Sequence, residues 1–542
     1  MSDQEGESSF DLGKLGEIVN SKRVTRRRVL QGAAAAGALA ALGPVASACG
    51  GSSTTDASAS PSAAAGPKKG GSLQVGIIGG SAKDTADPHN AFNEPDIAIQ
   101  YQLYDGLSAF DRDAQVVLHL ATEITPNADA TVWTARLKPG LTWHDGKPVT
   151  ADDVVFSFDR IMKGGFSAAT SLIGLKPGGT VKIDDQTVEF RLDKPNAVLT
   201  QGLAYRGSQL VPVGFDPKKP VGCGPFSLTS FNPGEQFVFA PFAEFWNGSP
   251  WVDDLTIIEF ADDTARVNAL SSGQIQAIST LPASQIKLIE ATAGLKVLNS
   301  ETGAWRPFTM RIDAKPYSDN RVRQAFRLIV DREQMIQQAY AGLGGIGNDM
   351  YARYDVGTPA LPQRVQDLEQ AKSLLKEAGY EGLTVELTTS AGALGADEVA
   401  AAQVFAEQAK GAGVTVNVNK VDSGVFWGDE YLSWPFAQDF WYTRDYLLQA
   451  SQATMPGAPY NETHWKNDKW LSIVMEAFGT ADDAKRNALV GEAQTIEFNE
   501  GGYILWAFRN QVDAYSDKIV GLETDKVGVP LTTFGFKDVY FA

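Results

Sequence analysis

The period of the apolar positions changes several times along the chain, and each change predicts an element. Leu73, Val75 and Ile77 alternate with small or polar residues, and Val188, Phe190 and Leu192 alternate with Glu189 and Arg191, so both stretches read as half-buried strands. Helical spacing takes over after Asp319: Val322, Ala325, Phe326 and Ile329 fall at i, i+3, i+4 and i+7, which leaves Arg323 and Arg327 to share the outer face. Asp367, with Gln370 three residues on, opens a second helix whose buried stripe is Ala371, Leu374, Leu375 and Ala378, and Gly379 supplies a left-handed stop. A strand through Val385 and Leu387, a helix from Val399 to Ala409 ending at Gly411, and the alternating Val414, Val416 and Val418 then make a βαβ unit.

The first fifty residues follow a different pattern. Thr25-Arg26-Arg27-Arg28-Val29-Leu30-Gln31 resembles a twin-arginine export signal, with Arg26 and Arg27 as the pair. The apolar run from Gly32 to Ala48, mostly Ala and Gly, is short beside the roughly 20 strongly apolar residues of a membrane span, and reads as the core of a signal peptide. It ends Val45-Ala46-Ser47-Ala48-Cys49-Gly50, which resembles a lipobox, so Cys49 is the expected lipidation site and new N-terminus, with 1–48 as signal peptide. Residues 49–69 are rich in Gly, Ser, Ala and Pro and are too poor in apolar area to offset the cost of ordering, so they read as a tether.

Composition narrows the function. A chain of 542 residues, 43% hydrophobic, exceeds the roughly 250–300 residues at which one core stops growing, so more than one domain is expected. Its 47 basic and 65 acidic residues give a formal charge of −18, which disfavours nucleic acid. Of two cysteines, Cys49 is claimed by lipidation and Cys223 reads as a buried free thiol, so no disulfide is expected. His89, His119, His144 and His464 show no metal-ligand spacing, and His144-Asp145-Gly146 reads as a turn. No metal or cofactor is expected. Glu462 and His464 are read either as neighbours of a ligand cleft or as a local structural network. Gly342-Leu343-Gly344-Gly345 lacks the Lys-Ser/Thr of a phosphate loop, and no G-x-S-x-G elbow is present.

The stretch Trp133-Thr134-Ala135-Arg136-Leu137-Lys138-Pro139-Gly140-Leu141-Thr142-Trp143-His144-Asp145-Gly146-Lys147-Pro148-Val149-Thr150-Ala151-Asp152-Asp153-Val154 closely resembles the signature of the family 5 solute-binding proteins, the peptide- and nickel-binding group. Further landmarks occur in the family's order, among them Tyr104-Asp105-Gly106-Leu107, Gly222-Cys223-Gly224-Pro225-Phe226, Phe245-Trp246-Asn247-Gly248 and Arg321-Val322-Arg323-Gln324-Ala325. The resemblance covers nearly all of 70–542. It implies an α/β fold, periplasmic-binding-protein-like type II (cluster C), with two lobes and an extra inserted domain. Lobe I maps to 70–97, 214–304 and 511–542, the inserted domain to 98–213, and lobe II to 305–510, with hinge crossings near 300–310 and 505–515.

The resemblance also implies a function: a substrate-binding lipoprotein that closes around a small polar solute, an oligopeptide or dipeptide first, and delivers it to the permease and ATPase of an ABC importer. A monomer is expected, anchored by lipid to the outer face of the cell membrane. The rival readings are a lipoprotein ligand sensor and an exported hydrolase. Aromatic and charged residues concentrate between Phe426 and Asp445, as small-ligand clefts require. The candidates there are Trp427, Trp434, Asp439, Trp441, Tyr442, Arg444 and Asp445, and outside it Trp305 and Phe92. In peptide-binding members of the family an Asp close to a Trp holds the ligand's α-amino group, which implies that role for Asp439 or Asp445. Arg444 could meet a carboxylate or phosphate in two-pronged fashion.

Overall fold

The computed structural model describes residues 67–542. The export signal with Arg26 and Arg27, the lipidation site Cys49, and all but the last three residues of the expected tether lie outside the described residues.

Three sheets organise the chain. The largest has seven strands, in the order Leu295–Ser300, Gln511–Ser516, Ala277–Ile278, Ser72–Ile78, Asp254–Phe260, Gln236–Pro241 and Phe226–Asn232. Its middle strand, Ser72–Ile78, runs parallel to both neighbours, with Leu73 opposite Leu255 and Val75 opposite Ile257. Leu73, Val75 and Ile77 are fully buried, and so is Gly76 between them. Ser72 is exposed and Gln74 and Ile78 partly buried, as the alternation predicts; Gly76 alone departs from it, because Ile275, Phe260 and, from helix Asp263–Ser271, Arg266 pack close over it. Ile519 and Leu522 of the last segment join the same core.

A five-stranded sheet runs in the order Thr415–Lys420, Thr384–Thr389, Phe436–Gln438, Phe308–Met310 and Tyr503–Ile504. Its first two strands are the parallel pair of the predicted βαβ unit, joined by helix Ala396–Lys410, which buries Val399, Phe405 and Ala409. The predicted helices form at Asn320–Ile329 and Leu368–Glu377, the second capped by Asp367, whose carboxylate accepts from the Gln370 N–H at 2.8 Å, and followed by Gly379 at φ 79°. Arg323 and Arg327, however, are not on an outer face. They are 6% and 0% exposed, because helix Asp483–Glu500 ends against them: Arg323 donates to the Glu500 and Gly501 carbonyls, and Arg327 to those of Phe498, Gly501 and Tyr503. Carbonyls orphaned at a helix C-terminus need donors, and these two side chains supply them.

The third sheet is antiparallel, Ala121–Pro126, Val132–Leu137, Thr187–Leu192 and Leu175–Lys182, with Trp133 opposite Phe190. Here the long signature stretch has a structural meaning. Trp133 Nε1 donates to the Asn196 carbonyl at 3.0 Å, Trp143 Nε1 to Asp153 at 3.3 Å, and Asp153 also accepts from the Thr150 N–H at 2.8 Å to start helix Ala151–Gly164. Residues 143–147 are a turn, with Gly146 at φ 81°. In Gly222-Cys223-Gly224 a Cβ at either glycine would collide with the Gln102–Leu103 backbone, and Cys223 between them is buried.

The chain passes from the seven-stranded to the five-stranded sheet between Ser300 and Phe308, and returns between Ile504 and Gln511. No helix among the described residues is long and apolar enough to cross a membrane.

Candidate functional site

Strand Phe436–Gln438 lies in the five-stranded sheet, and the chain leaving it runs beside the first crossing. Trp441 and Trp305 exchange backbone hydrogen bonds at 3.0 Å, the Thr443 N–H donates to the Val527 carbonyl at 3.0 Å, and the Gly303 N–H to Thr443 Oγ1 at 2.9 Å. Residues 439–444 are thereby pinned at the junction of the two sheets.

They line a small, partly open cavity. From this segment come Asp439, Phe440, Trp441, Tyr442 and Arg444. Phe92 enters from the turn before helix Glu94–Leu103, Arg206 from just beyond helix Leu199–Ala204, and Tyr431 and Tyr460 from loops on either side.

Other rings brace the walls. Trp427 packs edge-on against Phe92 at 5.8 Å, Tyr431 at 5.0 Å and Phe440 at 5.8 Å, so it stands behind the lining rather than in it. Trp305 stacks on Tyr351 at 5.4 Å and beside Trp441 at 6.1 Å, and Tyr351 stacks on Tyr446 at 5.1 Å. Trp441 is oriented by Glu462, which accepts from its Nε1 at 2.8 Å and from the Tyr503 hydroxyl at 3.0 Å. Burial raises the Glu462 carboxyl well above its ordinary range.

Asp439 is 2% exposed and accepts from the Tyr431 hydroxyl at 3.0 Å and the Phe440 N–H at 2.6 Å. Burial pushes its carboxyl up to about 7, against those two hydrogen bonds and the attraction of Arg306. Arg444 lies 5.1 Å from the Trp441 ring and 5.2 Å from the Tyr205 ring, and Arg206 lies 5.4 Å from Tyr205 and 5.6 Å from Tyr442. A carboxylate, two guanidinium groups and aromatic walls can together hold a small solute bearing both charges.

Four expected residues are not part of the lining: Trp427 and Trp305 brace it from behind, and Asp445 and Trp434 lie elsewhere. Asp445 instead accepts from Gln201 Nε2 at 2.6 Å and precedes helix Tyr446–Ala453. Trp434 is half-buried away from the cavity, and its Nε1 has no partner. His464 bonds Asp313 and the Leu432 carbonyl, both at 2.9 Å, and Glu462 bonds Trp441 and Tyr503, so both belong to structural networks. Among the described residues no cluster of His, Cys, Asp or Glu is arranged to hold a metal ion. Arg206, Tyr431, Phe440 and Tyr460 were not singled out from the sequence. The one local signal for Arg206 is its place beside Tyr205, the same arginine-aromatic pairing that Arg444 makes.

The model of the bacterial extracellular solute-binding proteins, family 5 Middle, matches residues 115–454, a span that contains most of the cavity lining. The chain belongs to this family. Among family 5 relatives, the glutathione-binding protein GsiB of Pectobacterium atrosepticum is 26% identical over 494 residues, covering 85% of this chain and 93% of that protein. The binding protein AgaA of A. tumefaciens, solved with agropinic acid, superposes with a TM-score of 0.78 at 22% identity, covering 87% of this chain and 99% of that one. DppA of Helicobacter pylori, an ABC transporter-associated periplasmic binding protein solved with the peptide STSA, gives 0.78 at 21% identity, covering 88% and 98%. The fold is accordingly the α/β, two-lobed type II (cluster C) binding-protein fold with an extra inserted domain. As a family 5 member the protein is the extracytoplasmic substrate-binding component of an ABC importer, and its relatives are binding proteins rather than enzymes.

Proposed function

We propose that the cavity at residues 439–444 captures a small zwitterionic solute, an oligopeptide or dipeptide, and that closure around it presents the solute to the importer's permease and ATPase. The observation that carries this reading is the origin of the lining. Taking 70–97, 214–304 and 511–542 as lobe I, 98–213 as the inserted domain and 305–510 as lobe II, Phe92 belongs to the first, Arg206 to the second, and Asp439 and Arg444 to the third. A guest touching all three stabilises the closed form by its extra affinity for that form. In this reading Asp439 takes the solute's ammonium and Arg444 a carboxylate, while Trp427 and Trp305 hold the walls.

Export by Arg26 and Arg27 and lipidation at Cys49 complete the reading, leaving a monomer tethered outside the membrane through 49–69. Radiolabelled palmitate should enter the wild-type chain in cells and not Cys49→Ala. For the cleft itself, small-angle scattering of the full chain stripped of carried solute should show a fall in radius of gyration on adding saturating dipeptide. An unchanged profile with every dipeptide tried overturns the reading.

A further inference from the structure

The charges lining the cavity do not balance. Arg206 and Arg444 approach the same ring, Tyr205, at 5.4 and 5.2 Å, and neither forms an ion pair among the described residues. Arg444 reaches the Gln449 side-chain oxygen, at 3.4 Å, and lies against the Tyr205 hydroxyl, neither of them a carboxylate, and the Nε of Arg206 is buried without a partner. The nearby Arg306, beyond Phe440, is not part of the lining; it faces Glu398 at 4.0 Å on one side and attracts Asp439 on the other. Against the two free cations the lining offers one carboxylate, Asp439.

A plain zwitterion brings no net charge and would close the cavity over an uncompensated cation, which low-polarity surroundings penalise. A solute with one ammonium and two carboxylates leaves nothing over. We propose that the solute is an amino-acid or dipeptide derivative of net charge minus one, its ammonium at Asp439 and its two carboxylates shared between Arg206 and Arg444. This rests on the cleft reading above and adds the charge of the guest to it. Guanidinium groups suit the task because each can meet a carboxylate with two parallel hydrogen bonds, and Tyr205, Tyr442 and Trp441 hold their planes in place.

The test is calorimetric titration of the stripped full-length chain with Ala-Glu, Ala-Gln and Ala-Lys, which share a backbone and differ in side-chain charge. Ala-Glu should bind at least about tenfold more tightly than Ala-Gln, with Ala-Lys weakest. At least one of Arg206→Gln and Arg444→Gln should bring the Ala-Glu to Ala-Gln ratio to within about twofold of unity, since only the cation is removed. If Ala-Gln binds as well as Ala-Glu in the wild-type protein, the charge assignment falls and the cleft reading stands. If none of the three binds, both fall.

Discussion

Two groups of arginines, each at least partly buried, carry the same charge and meet opposite fates. Around the end of helix Asp483–Glu500, Arg323 and Arg327 are capped by carbonyls, and Arg332 and Arg364 both close on Asp349, which is fully buried on its side chain. At the cavity, Arg206 and Arg444 rest on aromatic faces with no carboxylate beside them. In the first group the protein completes its own charges and gains a fixed helix end. In the second it withholds the partner, so that a guest can be the one to supply it. On the reading proposed above, a half-buried cation with no anion beside it is a better pointer to a binding site than aromatic richness, because only the former leaves a demand the fold does not meet alone.

The sharpest way to break this contrast is at Asp349. Burial opposes its charge, yet Arg332, Arg364 and Arg327 hold its carboxyl below the usual range. Removing it strands two buried guanidinium groups, so Asp349→Ala should lose about 3–5 kcal/mol of unfolding free energy in urea titration. Solute affinity in the folded fraction should stay unchanged. Because the folded value is depressed, the stabilisation is present above the carboxyl's unfolded value near ~4 and is lost as pH falls through the lower folded value. If Asp349→Ala weakened binding as much as folding, the two arginine groups would not be separable.

Asp439 should behave in the reverse manner. Asp439→Asn removes the ammonium's partner while keeping shape, and should weaken solute binding by about 1.5–3 kcal/mol, the range for a hydrogen bond to a charged group. Its melting temperature should hold or rise, since burial already lifts this carboxyl to about 7. Tyr431, the neighbouring buried Glu462 and Arg306 are the titratable and charged groups that face it. The solute's ammonium needs the ionised form, so wild-type affinity should fall as pH drops below about 7 while that of Asp439→Asn stays flatter. Calorimetry at pH 5.5 and 8 reads the difference; parallel pH profiles for the two proteins would remove Asp439 from the site.

What could be read from the sequence follows the range of each interaction. The helices at Asn320–Ile329 and Leu368–Glu377 and the βαβ unit at Thr384–Lys420 were legible because their caps and apolar periods lie within a few residues. The true environment of Arg323 and Arg327 was not, since their partners at Glu500, Gly501 and Tyr503 come from well over a hundred residues away. The signature from Trp133 to Val154 identifies the family, but its tryptophans hold a strand and a helix start rather than a solute. Asp439, Trp441, Tyr442 and Arg444 stood out because they cluster in one segment. Arg206 and Tyr460 did not, because only the folded chain carries them to that segment. Local richness also misled: Trp434 shares the segment and not the cavity.

The smallest effect separates the two aspartates that flank Trp441. Asp445 has its acceptor already engaged by Gln201 of helix Leu199–Ala204, and burial together with the nearby Asp355 lifts its carboxyl to about 7. Asp445→Ala should therefore cost about 1 kcal/mol of stability, the worth of one hydrogen bond, and leave solute affinity within about twofold. Asp445→Asn keeps an acceptor for Gln201 and removes the charge. A carboxyl with a raised folded value contributes stability that is complete below its unfolded value near ~4 and is lost as pH rises through about 7. Asp445→Asn should accordingly flatten the fall in stability over that interval without touching binding. A tenfold loss of affinity in either variant would place the ammonium at Asp445, and the cavity's one carboxylate at Asp439 would then need another purpose.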